Sequence, residues 1–143
     1  MKRKSLKPRV FFNASVILSG LKSPQGGSGK LLQLTKQHKI KGMISEIILD
    51  ETLRHADEMS LNKSATEKSV HALFDPIIPA PKASLVKRYE QIVTDLGDTH
   101  VLASCNESQA KFLVTLDKKH LLILQGKIKG VKIVTPGELL AEL

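Results

Sequence analysis

The chain has 143 residues, with 22 Lys and Arg against 14 Asp and Glu, for a formal charge of +8. That length fits one compact domain that buries roughly 70% of its unfolded surface, so neither a disulfide nor a structural zinc is needed to hold it. A single cysteine, Cys105, excludes an internal disulfide and any cysteine-based zinc site, and the apolar runs are far shorter than the ~20 residues that span a bilayer.

Five basic residues, Lys2, Arg3, Lys4, Lys7 and Arg9, crowd the start. Residues 1–7 therefore read as a basic tail and residues 8–143 as one domain, with the remaining charge spread along the chain. The basic start leads into a strand-like segment that breaks at Asn13, which is not the pattern of a secretory signal. The expected setting is cytoplasmic, and the expected partners are anionic: nucleic acid ahead of an acidic protein or a membrane surface.

Val10-Phe11-Phe12 predicts a short strand, and Val16, Ile17 and Leu18 open a helix after Asn13-Ala14-Ser15. Pro24 through Gly29 reads as a loop, since its residues supply turn geometry and little to pack. Leu31, Leu32 and Leu34 suggest a helix to about Lys39, and Lys41–Ile44 a strand. Ser45 is a good N-cap for a helix carrying Leu49, Leu53 and Ala56 at i, i+4 and i+7. Asn62 caps the next, with Val70, Leu73 and Phe74 on its face. The prolines at 76, 79 and 81 permit only a short strand between them. Leu85, Tyr89 and Ile92 mark a further helix. The last third alternates: a helix through Val101-Leu102-Ala103, a strand over Phe112–Thr115, a short helix at Leu121-Leu122, a strand over Val131–Val134, and a final helix opened by Pro136. Short apolar strands separated by helices predict an α/β domain, a three-layer α/β/α sandwich around a mostly parallel sheet.

In such sheets ligands gather outside the carboxyl ends of the strands. Asn13 and Asp117 follow predicted strands there. Asp98 precedes a buried helical face, and Glu51 shares the stripe of Ile47 and Ile48, whereas its neighbour Asp50 turns toward Glu46 and solvent. Each residue alone reads as a cap or a turn. Together they form an acidic cleft in a basic protein. Converging carboxylates repel by about 4 kcal/mol at 4 Å and an effective dielectric near 20. A hard divalent cation relieves that repulsion, and Mg²⁺ or Mn²⁺ favours oxygen ligands.

The ordered motifs resemble the PIN-domain ribonuclease family, which includes VapC-type toxins. Residues 8–16 (Pro-Arg-Val-Phe-Phe-Asn-Ala-Ser-Val) resemble its opening strand, and residues 45–51 resemble the helix start that bears its Glu, here Glu51. Residues 98–104 and 112–118 match the segments of its third and fourth acids, Asp98 and Asp117. Residues 133–140 resemble its closing strand and helix. The resemblance implies a Mg- or Mn-dependent endoribonuclease, the toxin of a toxin–antitoxin pair, with RNA as substrate, a cognate antitoxin and a homodimer as partners. It implies Asp98, Asp117 and Glu51 as metal ligands, and Ser15 and Thr115 on the substrate side. The family's first Asp is Asn13 here, a fourth site residue that brings no charge, and Asp95 stands close enough in sequence to compensate. The alternative is a degenerate PIN domain that binds RNA or protein without cutting.

Gly26-Gly27-Ser28-Gly29-Lys30 does not meet the phosphate-loop pattern, because Lys30 is followed by Leu31. The five histidines show no metal-ligand spacing, and His100 and His120 read as rim residues. Cys105 reads as a small buried hydrophobe.

Overall fold

A computed structural model describes residues 7–93 and 96–143, with Leu96 given by its backbone alone. The proposed tail, apart from Lys7, and Asp95 lie outside the described residues.

Four short strands form one sheet: β1 (Arg9–Phe12), β2 (Lys41–Met43), β3 (Phe112–Val114) and β4 (Lys132–Val134). Their order is β2-β1-β3-β4, and every pairing is parallel. Val10, Phe11 and Phe12 are all fully buried. Successive strand residues point to opposite faces, so three buried in a row require cover on both sides of the sheet. The cover comes from α1 (Ala14–Lys22), α2 (Gly27–Lys36), α3 (Glu46–His55), α4 (Lys63–Leu73), α5 (Ala83–Tyr89), α6 (Thr99–Ser108) and α7 (Pro136–Glu142). They fall into two packed groups, α1–α4 with α7, and α5 with α6. This is the expected sandwich.

Local chemistry sets the boundaries. Ser45 Oγ accepts from Ile48 N at the start of α3, and Asn62 Oδ1 accepts from Ala65 N at the start of α4, as their sequence positions predict. Thr135 and Glu138 close a reciprocal capping box on α7, with Pro136 at its first turn. Phe12 and Phe74 meet edge to face at 5.2 Å, joining β1 to the end of α4. Cys105 is buried, and that burial pushes its thiol pKa up, out of reactive range.

Three expectations need correction. Residues 27–29 are not loop but the first turn of α2. A Cβ on Gly29 would lie 2.1 Å from the Pro24 carbonyl oxygen, so this glycine serves close backbone approach instead of a turn. The proline-bounded segment 76–81 forms a single bridge, Ile78 to Ser45, because three residues without N–H donors cannot extend a ladder. Asp50 does face solvent as expected, but its partner there is Arg54 at 2.9 Å, while Glu46 Oε1 accepts from Ala80 N.

Candidate active site

The chain leaves β1 to build β2 on one side, then crosses back to build β3 on the other. The gap outside the carboxyl ends of β1 and β3 is therefore the topological switch point, where open parallel sheets bind ligands. Asn13 directly follows β1, and Thr115 directly follows β3.

These two ends are bonded together. Asn13 N donates to Val114 O at 3.0 Å. Asn13 Oδ1 accepts from Ser15 Oγ at 2.7 Å and from Thr115 Oγ1 at 3.1 Å. Asn13 holds the N-cap position of α1, yet its side chain makes no capping bond. Ser15 Oγ in turn accepts from Leu116 N, and Thr115 Oγ1 accepts from Asp117 N at 3.0 Å. The loop after β3 is thus pinned to the start of α1 by two hydroxyls and one amide oxygen.

That pinning aims Asp117. Its Oδ1 accepts from the backbone N–H groups of Lys119 and His120, at 3.1 and 3.0 Å. Its Oδ2 faces His120 Nδ1 at 3.4 Å, and Asp98 Oδ2 lies 3.7 Å from the same nitrogen. Asp98 occupies the N-cap position of α6 without a side-chain capping bond among the described residues. Ligand atoms of Asp98, Asp117 and His120 all lie within 4.8 Å of one another, and all three residues are half-buried.

Glu51 goes elsewhere. Its Oε1 lies 2.9 Å from His100 Nε2, and it is not among the three converging donors. With Glu51 ionised, Nε2–H donates to the carboxylate, and His100 Nδ1 is buried without a hydrogen-bond partner.

The six sequence-predicted residues therefore sort into three sets: the Asn13–Ser15–Thr115 network, the Asp98–Asp117 pair, and Glu51 with its histidine. The reading of His100 and His120 as rim residues is corrected, since one holds Glu51 and the other faces both aspartates. Their signal in the sequence was proximity, His100 two residues after Asp98 and His120 three after Asp117. Histidine is also the commonest protein metal ligand. A cavity of about 560 Å³ opens beside Arg9 and Lys41, the first residues of β1 and β2, and none of the six lines it. That hollow is separate from the cleft where the carboxylates converge.

The charge is also less even than expected. Residues 118–132 hold Lys118, Lys119, Lys127, Lys129 and Lys132 and no acid, so the stretch that begins beside Asp117 carries as much positive charge as the first nine residues. Only Lys132 of these forms an ion pair among the described residues, with Glu142 at 2.7 Å.

The fold is an α/β domain built on a four-stranded parallel sheet, with an acidic and histidine cluster that could hold a metal ion. The chain belongs to the PIN domain family, whose model matches residues 9–119 and so takes in all six of these residues. Membership points to nuclease activity in general, and divalent metal use is typical of the family. No curated protein matches the chain. Among the described residues, no helix is long and apolar enough to cross a membrane.

Proposed function

We propose that the protein is a Mg²⁺- or Mn²⁺-dependent endoribonuclease whose cation is held by Asp98 and Asp117. One observation carries this reading: two carboxylates from separate segments converge within 4.8 Å at the switch point. At an effective dielectric near 20 their repulsion is about 3 kcal/mol, an arrangement that a divalent cation relieves. The donors are carboxylate oxygens in a half-buried cleft, which suits a hard cation that keeps some of its water. Bound there, the cation would supply Lewis-acid polarisation of a scissile phosphate and an activated water.

The chain's own residues supply the rest. Lys119 and His120 fix one oxygen of Asp117 and leave the other toward the cleft. Ser15 and Thr115 hold the loop that carries Asp117, which makes them positioning residues on the substrate side. Lys118, Lys119, Lys127 and Lys129, which have no acidic partner among the described residues, suit the backbone of a nucleic acid that enters beside the acids. With aromatics at 3% of the chain, affinity would be electrostatic more than stacked. The test is Mn²⁺-dependent cleavage of single-stranded RNA by the parent chain, Asn13→Asp and Asp98→Ala. If neither the parent nor Asn13→Asp cuts while both fold, catalysis is ruled out.

The family resemblance extends this reading to a cytoplasmic toxin that dimerises and is silenced by a small antitoxin. A neighbouring reading frame encoding a small DNA-binding partner supports that role, and a monomer by light scattering, with no such neighbour, counts against it.

Asn13 favours a second reading, binding without cutting. Its Oδ1 already accepts from two hydroxyls, and it adds no charge where the resemblance implies the family's first Asp. This reading expects salt-sensitive RNA binding that needs no metal and survives Asp98→Ala.

A further inference from the structure

We infer that His120 is a direct nitrogen ligand of the site's divalent cation, and that this ligand biases the site toward Mn²⁺ and later first-row ions over Mg²⁺. The inference rests on the metal-dependent reading above and adds a donor that the sequence pattern did not suggest.

His120 Nδ1 stands 3.4 Å from Asp117 Oδ2 and 3.7 Å from Asp98 Oδ2. Both are longer than the roughly 2.7–3.2 Å of an N–H···O hydrogen bond. The shorter is close to the spacing of ligand atoms around one ion, and the longer exceeds it by about 0.3 Å. Donors about 2.1 Å from a cation stand roughly 3.0 Å apart in an octahedron and 3.4 Å apart in a tetrahedron. The imidazole thus faces both carboxylates at ion-pair range, and all three donors lie within 4.8 Å of one another, close enough to converge on one cation.

The backbone prepares this arrangement. Asp117 Oδ1 accepts from the N–H of His120 itself, so the turn that presents Oδ2 also fixes where the histidine begins. Thr115 Oγ1 holds Asp117 N and is in turn tied to Asn13, which anchors the turn to the sheet. The histidine side chain is about one-third exposed, open enough for exchange of ion and water. The Asn13 amide oxygen is engaged by two hydroxyls and brings no charge. A donor set of one imidazole and two carboxylates differs in kind from an all-oxygen set. Carboxylate and water suit Mg²⁺, whereas imidazole moves preference toward transition ions.

The experiment titrates Mn²⁺ into the full chain and reads it by electron paramagnetic resonance, with pulsed detection of ¹⁴N coupling and Mg²⁺ as competitor. The expected result is one Mn²⁺ with nitrogen coupling that vanishes in His120→Gln and persists in His100→Ala. The Mn²⁺ affinity of His120→Gln should fall about tenfold or more, and its Mg²⁺ affinity much less. A bound Mn²⁺ that is lost in Asp98→Ala but shows no nitrogen coupling overturns the His120 assignment and leaves the metal-dependent reading intact. Coupling that disappears in His100→Ala instead overturns it too. No Mn²⁺ binding by the parent chain at millimolar ion overturns both.

Discussion

His100 Nε2 and Glu51 Oε1 meet at 2.9 Å, tying the first turn of α6, two residues beyond Asp98, to the middle of α3. The two side chains are 12% and 26% exposed, so the bond is partly shielded from water. Hydrogen bonds to a charged group contribute about 1.5–3 kcal/mol when well buried, and the residual exposure places this one near the lower end. A double-mutant cycle of His100→Ala and Glu51→Ala should give a coupling of about 1 kcal/mol by urea denaturation. The chain has no Trp, so circular dichroism is the natural probe. A coupling near zero would show that the contact holds nothing.

Asn13→Asp should act in opposite directions on stability and on metal binding. The side chain is nearly buried, and its oxygen can still accept from Ser15 and Thr115. The new charge joins Asp98 and Asp117 at the same end of the sheet. Without metal, desolvation and repulsion should lower stability by roughly 1 kcal/mol or more. With Mn²⁺ the loss should be recovered, because an ion that binds only the folded state stabilises it. Thermal melts with and without Mn²⁺ test this, and an equal shift in both conditions refutes it.

The lysine stretch makes a prediction separable from catalysis. In chelator, where nothing is cut, binding to single-stranded RNA should weaken with salt. Each phosphate contact contributes about −0.7 to the slope of log affinity against log salt concentration. Replacing Lys118, Lys119, Lys127 and Lys129 with Gln should flatten that slope by roughly 2–3 if most of them touch phosphate. Replacing four lysines elsewhere, such as Lys22, Lys36, Lys63 and Lys68, should change it far less. Equal slopes for the two sets would mean that the segment is merely solvated.

Most of the fold was legible because strand and helix signals agreed with the caps that bound them. Ser45, Asn62 and Pro136 each mark a helix start in the sequence and occupy one in the structure. The Gly-rich segment misled because composition reports flexibility and not proximity; nothing local says that Gly29 must press against Pro24. The convergence of Asp98 and Asp117 was legible because a strand end and a helix start bring them together. His120 and the His100–Glu51 pair were missed for a different reason. Their roles depend on side-chain direction across 49 residues in one case and across a turn of three in the other. The +8 charge hid its own arrangement, for the tail drew notice while residues 118–132 carried as much.

Gly29→Ala should be strongly destabilising, although alanine in a helix interior ordinarily gains roughly 0.5–1 kcal/mol over glycine. Here the added methyl meets the Pro24 backbone at 2.1 Å, and backbone cannot swing aside as a side-chain tip can. Overpacking of this kind costs about 1–3 kcal/mol or more. Gly137→Ala is the control, because its added Cβ meets nothing within 4 Å. Urea midpoints should fall sharply for the first variant and hold or rise slightly for the second.

The capping box of α7 gives a pH dependence of known sign. The Thr135 backbone N–H, followed by the Gln125 side chain, holds the Glu138 carboxyl below its ordinary range. A carboxyl depressed in the folded state adds stability above its unfolded pKa of about 4.3 and loses it as pH falls through the lower folded value. Glu138→Gln keeps a side chain able to accept from Thr135 N but removes the titration. The parent's advantage over that variant should therefore be constant from pH 7 to about pH 5 and shrink steadily toward pH 3. Urea denaturation at each pH measures it. A difference that stays flat to pH 3 would mean that the ionised carboxylate adds nothing beyond the neutral bond, and that α7 is held by Pro136 and Leu139, both buried in the core.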